Sequence, residues 1–324
     1  MDSITQAALG AAIGEVVLGK KIGRKAAVLG AIGGTFPDLD VILYLFYDKL
    51  EMLSIHRGFS HSILFSLFGA FLLAYILQRI KWTKNVTYFR LWIFVWLALF
   101  THILLDTFTA YGTQLFLPFS NKRVGFDSVN VIDPVYTIPL LLGLLFSLFI
   151  FKNSPKRATY NYIGLGISTF YLICTLGVKS YVNNYFHKEL SKQDIPYNSL
   201  LTMPVESASI NWYGVAKSKD SLYIQKYSIL KGSYFPFEEF AINDHLLESL
   251  NPKLVETMRW FAKGFYAVQK NKDKIRFYNL QVDMRGIFNN GYIKAPTLGY
   301  FEITSKKNGN YEFSSDTHQK EVGK

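Results

Sequence analysis

Up to Phe186 the chain alternates long apolar runs with short, mostly basic turns; beyond Lys188 short aromatic and β-branched runs alternate with polar turns. Six apolar stretches carry the first pattern: Ser3–Leu18, Ala26–Phe46, Ser60–Ile80, Phe89–Phe108, Pro134–Phe151 and Tyr162–Tyr181. Most approach the roughly 20 residues an α-helix needs to cross the hydrocarbon layer. The first is short and weakly apolar. The pattern predicts an α-helical polytopic membrane bundle of about six transmembrane helices, over residues 1–189, followed by a small α+β soluble domain over residues 190–324. Asp, Glu and Lys are sparse before Phe186 and common after it, which sets the boundary near Tyr185–Gln193.

Within the bundle, Gly10-x-x-x-Gly14 and Gly30-x-x-x-Gly34 have the small-residue spacing that lets two helix backbones approach closely in lipid. The first two helices are therefore expected to pack together. In the second region, Ala208–Lys217 and Leu222–Ile229 flank Ser218-Lys219-Asp220 and read as a hairpin. Asn251–Lys263 reads as a helix with Asn251 as N-cap and Pro252 at the first helical position. Two more hairpins are expected, Gly264–Gln269 with Lys274–Val282 and Leu298–Ser305 with Tyr311–Ser314, the latter turning at Asn308-Gly309-Asn310.

Composition agrees with a membrane protein: of 324 residues, 50% are hydrophobic and 16% aromatic, and the mean hydropathy is +0.14. The net charge of +11 would suggest nucleic acid in a soluble protein. Here much of the excess lies in short loops, and no arginine-rich tail or zinc-finger pattern supports DNA or RNA as a partner. Lys20, Lys21, Arg24 and Lys25, then Arg79, Lys81, Lys84 and Arg90, then Lys152, Lys156 and Arg157 mark alternate loops. The positive-inside rule puts these loops in the cytoplasm. The chain then reads as a multi-pass protein of the cell (plasma or inner) membrane, with its C-terminal domain extracytoplasmic. Met1-Asp2-Ser3 lacks a basic n-region and Glu15 interrupts the apolar stretch, so the first segment reads as a retained helix. The single cysteine, Cys174, lies in an apolar run and reads as a packing residue.

Ionisable residues inside membrane spans are costly and need a reason. Asp38 and Asp40 interrupt the second stretch; His56, Arg57 and His61 lead into the third; His102 and Asp106 end the fourth; Asp133 opens the fifth. Helix rise places Asp38 roughly 20 Å, His102 roughly 18 Å and Asp106 roughly 24 Å above the basic ends of their helices. All of these groups converge near the outer leaflet. His102 and Asp106, four residues apart, share a helix face. Asp38 and Asp40 point apart on a regular helix, but a kink at Pro37 could bring both to one site. Mixed His and Asp ligation suits Zn²⁺, with Mn²⁺ or Fe²⁺ as alternatives.

Met1-Asp2-Ser3-Ile4-Thr5-Gln6-Ala7, Pro37-Asp38-Leu39-Asp40, His56-Arg57-Gly58-Phe59-Ser60-His61-Ser62 and His102-x-x-x-Asp106 together resemble the DUF457/YdjM family over about the first 150 residues. The resemblance implies a membrane-bound metal-dependent hydrolase, distantly similar to zinc-dependent phospholipase C and P1-type nucleases, which cleave phosphoesters at His and Asp ligands. It makes Asp38, Asp40, His56, His61, His102 and Asp106 candidate metal ligands. Many family members carry a histidine where this chain has Gln6; either one metal position is weaker here or Asp2, one turn earlier, compensates.

On this reading a metal activates water against a phosphoester, lipid-linked if the site opens at the outer leaflet. Arg57 could hold the phosphate through its planar fork. Asp133 could be a general base or orient a ligand histidine, or it could cap the helix that Pro134 opens. The rival reading is a non-catalytic protein with a structural metal site and a partner-binding outer domain; a closed four-ligand site would favour it. A transporter is disfavoured because the charges gather at one leaflet rather than the midplane.

Overall fold

The structure is a computed structural model and describes residues 1–233, 236–281, 299–305 and 311–317. It divides into two compact units: a helical one (Met1–Leu43 with Ile55–Gly177) and a second one (Tyr44–Ser54 with the described part of Val178–Lys324).

Seven α-helices begin in the first 192 residues: α1 (Ser3–Ile22), α2 (Lys25–Thr35), α3 (Lys49–Ile55), α4 (Ile63–Gln78), α5 (Tyr88–Thr107), α6 (Pro134–Leu145) and α7 (Arg157–Lys192). Asp2 caps α1, accepting from the Ile4 and Thr5 amides. Helices α1 and α2 pack as the glycine spacing predicts. A Cβ added at Gly10 would overlap the Gly30 carbonyl oxygen, and one at Gly30 would overlap that of Gly10. Only glycine permits this approach, and it brings Gln6 and Gly34 to the same level of the bundle. Two apolar clusters fill the unit. One joins Leu9 and Ala12 to Leu105, Tyr136 and Leu140; the other joins Leu18 and Leu29 to Leu91, Phe94 and Leu99.

Among the described residues, three helical segments are long and apolar enough to cross a membrane: Lys25–Leu45, Tyr88–Thr107 and Arg157–Lys192. A fourth span results if Lys49–His61 and Ile63–Gln78, bent by 62°, count as one broken span. The helical bundle is thus supported, with three to four spans by length and composition rather than the expected six. Helix α1 is 20 residues long but rich in Ala and Gly and ends in Lys20 and Lys21, which lowers its hydropathy. The apolar segment Pro134–Ile150 is too short. Its last five residues, Phe146–Ile150, form a π-helical stretch.

The second unit holds a small β structure. A five-stranded antiparallel sheet runs β1 (Ser199–Pro204), β2 (Asn211–Lys217), β3 (Ser221–Ser228) and β4 (Gly232–Ser233), with β5 (Glu238–Ala241) also pairing with β3. A four-stranded one runs β6 (Tyr266–Asn271), β7 (Lys274–Asn279), β8 (Gly299–Ser305) and β9 (Tyr311–Thr317). Between them lies α8 (Pro252–Phe261), whose cap Asn251 accepts from the Lys253 amide at 2.9 Å. The expected hairpins form, with Lys217 opposite Leu222 and Asn271 opposite Lys274. Val282, Leu298 and the turn at Asn308–Asn310 lie outside the described residues. From Val178 onward α7 belongs to this unit, where Val182 and Phe186 pack with Trp212 and Tyr227.

Candidate metal centre

The second apolar segment does not continue as an α-helix past Thr35. Phe36–Leu45 winds as a 3₁₀ helix with Pro37 near its start. Such long 3₁₀ runs are uncommon, and mid-helix ones often mark functional positions. The tighter winding matters for chemistry. Residues two apart diverge by about 160° on an α-helix but by about 120° on a 3₁₀ helix. Asp38 and Asp40 can therefore both address one region, in adjoining positions.

Asp38, His61, His102 and Asp106 come together, each offering a ligand atom within 4.8 Å of the others. His61 Nε2 lies 3.4 Å from Asp38 Oδ1 and 3.5 Å from Asp106 Oδ2. His102 Nε2 lies 3.6 Å and 3.7 Å from the same two oxygens, and 3.2 Å from His61 Nε2. Both histidines and Asp106 are completely buried, while the Asp38 side chain keeps 23% of its exposure. This quartet could hold a metal ion.

The surroundings fix the ring orientations. Gly34 O can only accept, so His102 Nδ1, 2.5 Å away, carries the proton and leaves the Nε2 lone pair facing the cluster. Ser60 Oγ donates to Asp40 Oδ2 at 3.0 Å and accepts from His61 Nδ1 at 2.9 Å, so His61 also turns its Nε2 lone pair inward. Asp40 further takes the His56 ring at 2.8 Å and the Arg57 amide at 3.1 Å. Asp40 and His56 thus stand outside the quartet, Asp40 supporting His61 through Ser60. Arg57 adopts a left-handed φ of 58°, a strained conformation for a bulky residue that surrounding contacts must hold. Its amide on Asp40 and its carbonyl, which accepts from Gln114 N at 3.1 Å, supply them.

Arg57 is buried, with Nε 3.2 Å from Asp106 Oδ2 and Nη1 donating to Thr109 Oγ1 at 3.2 Å. Gln6 Nε2 donates to Asp106 Oδ1 at 2.9 Å and to His102 O at 3.3 Å. The Met1 nitrogen also bonds Asp106 Oδ1. Asp106 Oδ2, by contrast, is buried and has no hydrogen-bond partner. Its ion pair with Arg57 Nε and the Met1 nitrogen on Oδ1 offset part of the carboxylate's charge, but two imidazole lone pairs also face it, and a metal ion would satisfy all three groups. The donor set and this arrangement together fit a metal.

Asp133 is not brought to the quartet. It caps α6, accepting from Val135 N at 3.0 Å, and takes the Tyr171 hydroxyl at 2.6 Å. Asp2 is likewise a helix cap, bonded to the amide and hydroxyl of Thr5. Sequence reasoning did not single out Ser60, whose signal was only its place between candidate ligands, nor the Gly34 carbonyl, which side-chain chemistry cannot reveal.

Comparison with known proteins places these residues in a wider set. A family model described as YdjM inner membrane protein matches residues 1–182. The chain is 31% identical over 199 residues to the protein YfhP of Bacillus subtilis, the match covering 59% of each chain. It is 32% identical over 122 residues to the inner membrane protein YbcI of Escherichia coli, covering 37% of this chain and 69% of that one. The chain thus spans about three fifths of the length of YfhP. No solved structure matches.

Proposed function

That the chain belongs to the YdjM inner membrane protein family is the premise from which we propose that it is a membrane-bound, metal-dependent hydrolase of phosphoesters. The observation that carries the reading is the quartet of converging, mostly buried His and Asp donors. Zinc is the proposed ion. Ligand atoms about 2.0–2.1 Å from a tetrahedral centre stand about 3.3–3.4 Å apart, and the His–His and four His–Asp separations in the quartet, 3.2–3.7 Å, bracket that value.

When bound, such an ion supplies Lewis acidity and makes water acidic enough to attack near neutral pH. The chain's own residues do the rest. Asp38, His61, His102 and Asp106 would hold the ion. Ser60 and Gly34 keep the two imidazoles in the liganding tautomer. Arg57 faces the cluster, its Nε ion-paired with Asp106 Oδ2 at 3.2 Å, and its planar guanidinium is of the kind that binds a phosphate oxygen. The part-exposed Asp38 marks the side from which a substrate enters. Leu39 and Phe59, next to site residues in sequence, are exposed, which supports an ester carried by a lipid. The basic loops support an orientation with this end of the bundle and the C-terminal domain outside the cytoplasm.

One observation favours the rival reading. Four protein ligand atoms are the number of a closed structural site, whereas catalytic zinc usually keeps a position open. A hydrolysis assay on lipid phosphoesters, with metal measured on the same samples, decides between them. His102→Ala should remove metal and activity together. Arg57→Lys should spare the metal and weaken substrate binding, since an ammonium does not reproduce the bidentate contact. Wild type replete with metal that cleaves no phosphoester would leave the structural reading standing.

A further inference from the structure

The connection between α5 and α6, residues 108–133, is long for a link between two helices, and its stem is packed. Thr113 and Val124 exchange two backbone hydrogen bonds, of 2.9 and 2.8 Å, and Gln114 N donates to Arg57 O at 3.1 Å. Arg123 is buried in this stem, its guanidinium 4.0 Å from the centroid of the Tyr111 ring. The tip is the opposite. Phe116 and Phe119 turn outward, Phe119 keeping 85% of its exposure, and Pro118 between them is exposed as well. The backbone of the tip is nevertheless satisfied. Leu117 N donates to Gln114 O, and Phe119 N and Ser120 N both donate to Phe116 O, at 2.8–3.3 Å, while Pro118 has no donor to satisfy. Apolar side chains outward and amides paired inward suit a lipid interface, where an unpaired amide is penalised, better than they suit water.

The tip also joins a surface that faces lipid. Leu115 O accepts from the amide of Ile63, the first residue of α4, at 3.0 Å. Just before it in the chain, the exposed Phe59 ring packs edge-on against Phe65, with centroids 5.4 Å apart. Phe65, Phe68 and Leu72 share one face of α4 by their spacing, and the last two are exposed. Helix α4 is part of the candidate broken span, within the residues that the inner membrane family matches. Lys122, three residues beyond Phe119, is exposed and makes no ion pair among the described residues. Rings followed by a free cation reproduce the order of a leaflet, acyl chains and then phosphates. We propose that the tip from Phe116 to Phe119, with Phe59, is an interfacial anchor that seats in the leaflet at the quartet's end of the bundle, the rings among the upper acyl chains and Lys122 at the phosphates. The connection leaves α5 just after Asp106 and is bonded to the chain two residues after His61, so the anchor holds the metal quartet near the lipid–water boundary. It rests on the membrane location of the family and not on the hydrolase reading, and it serves a structural metal equally.

The test is the membrane depth of the tip. In the full chain carrying Cys174→Ala, a nitroxide is attached at Phe119→Cys or at Lys122→Cys, and the protein is reconstituted in vesicles of phosphatidylcholine and phosphatidylglycerol. Electron paramagnetic resonance with power saturation reads collisions of the label with molecular oxygen, which concentrates in lipid, and with a water-soluble nickel chelate. The oxygen-to-nickel collision ratio at Phe119 should be several-fold above that at Lys122. A ratio at Phe119 equal to or below that at Lys122 overturns the proposal and leaves the tip in water. A label at Phe119 that is shielded from both reagents also overturns it, because protein, such as a second copy of this chain, then covers the tip. Should a labelled variant fail to fold, Phe119→Trp in vesicles with brominated acyl chains decides. Quenching beyond that of the five native tryptophans supports the anchor, and its absence overturns it.

Discussion

The two units of this molecule bury different things. Among the described residues, every buried Asp, Glu, His and Arg side chain lies in the helical unit: Glu15, Arg57, His61, His102, Asp106, Arg123 and Asp133. In the β unit the buried side chains are aliphatic, aromatic or neutral polar, such as Phe186, Trp212, Ile224 and Thr202. Its ion pairs range from the exposed Lys192–Glu189 and Arg259–Asp244 to the part-buried Arg276–Glu302, but none of their side chains is fully buried. Burying charge costs several kcal/mol per group unless partners compensate, so a fold built for stability alone leaves charge outside, as the β unit does. The helical unit departs from that economy mainly where three element junctions meet, the 3₁₀ segment after α2, the turn before α4 and the end of α5, and again at the separate pair of buried Glu15 with Arg157. In the β unit the buried atoms without a hydrogen bond include neutral amide atoms such as Asn211 Oδ1; in the helical unit they include Asp106 Oδ2 and Arg57 Nε, which face each other as an ion pair at 3.2 Å.

The largest effect expected from breaking this contrast comes at the quartet. His102→Ala and Asp106→Ala should each abolish tight metal binding, because each removes one of four converging ligand atoms. Asp40→Asn should weaken it by about ten- to hundredfold, the usual cost of a lost outer-shell partner, since Asp40 supports His61 through Ser60 and from 3.5 Å away, and holds His56 and the Arg57 amide. Elemental analysis of purified, dialysed protein reads all three. Equal loss in Asp40→Asn and His102→Ala would mean that Asp40 is itself a ligand.

The mirror-image experiment is in the β unit. Phe186 is fully buried and packs with Trp212 and Tyr227. Phe186→Ala should cost about 3–5 kcal/mol, read as faster amide exchange in β2 and β3, with metal content unchanged. Coupled loss of metal would show that the two units are not energetically separate.

The sequence made the quartet legible because Asp38, His61, His102 and Asp106 interrupt apolar runs, where an ionisable residue needs a reason. It did not sort the quartet from its neighbours. Asp40 and His56 carry the same chemistry as the quartet's residues, and only the 3₁₀ winding and the turn at Arg57 separate them. Arg123 was illegible because a loop arginine looks solvated until the Thr113–Val124 bridge buries it. The hairpins were readable from alternation and turn residues, whereas β1, Ser199–Pro204, has no alternating pattern and was missed. The span count is the point least settled by the structure's helices, since glycine, alanine and lysine lower the hydropathy of α1 and Pro134–Ile150 is short.

The smallest effect tests the surface pairing that makes the β unit the ordinary half of the comparison. Asp244 accepts from the Tyr266 hydroxyl at 2.5 Å and from Arg259 Nη2 at 2.7 Å, and Arg259 Nε donates to the Tyr266 oxygen at 3.1 Å. Partial burial would raise the Asp244 carboxyl, but the hydrogen bonds from Tyr266 and Arg259 outweigh it and hold the group below the usual range. Tyr266 itself is pushed up to about 12 by burial and by Asp244, so it remains a neutral donor at physiological pH. A depressed carboxyl contributes stability that is present above its unfolded value, about 4, and is lost as pH falls through the folded value. Both Asp244 and Arg259 are nearly half exposed, so the contribution is at most about 1 kcal/mol. Asp244→Asn should therefore speed amide exchange in α8 and β6 only modestly at pH 7. The gap to wild type, measured at matched pH, should narrow as the pH drops below about 4, because protonated wild type then loses what the variant never had. A gap that stays constant from pH 7 down to pH 3 would show that the carboxylate charge contributes nothing and that the network is held by shape alone.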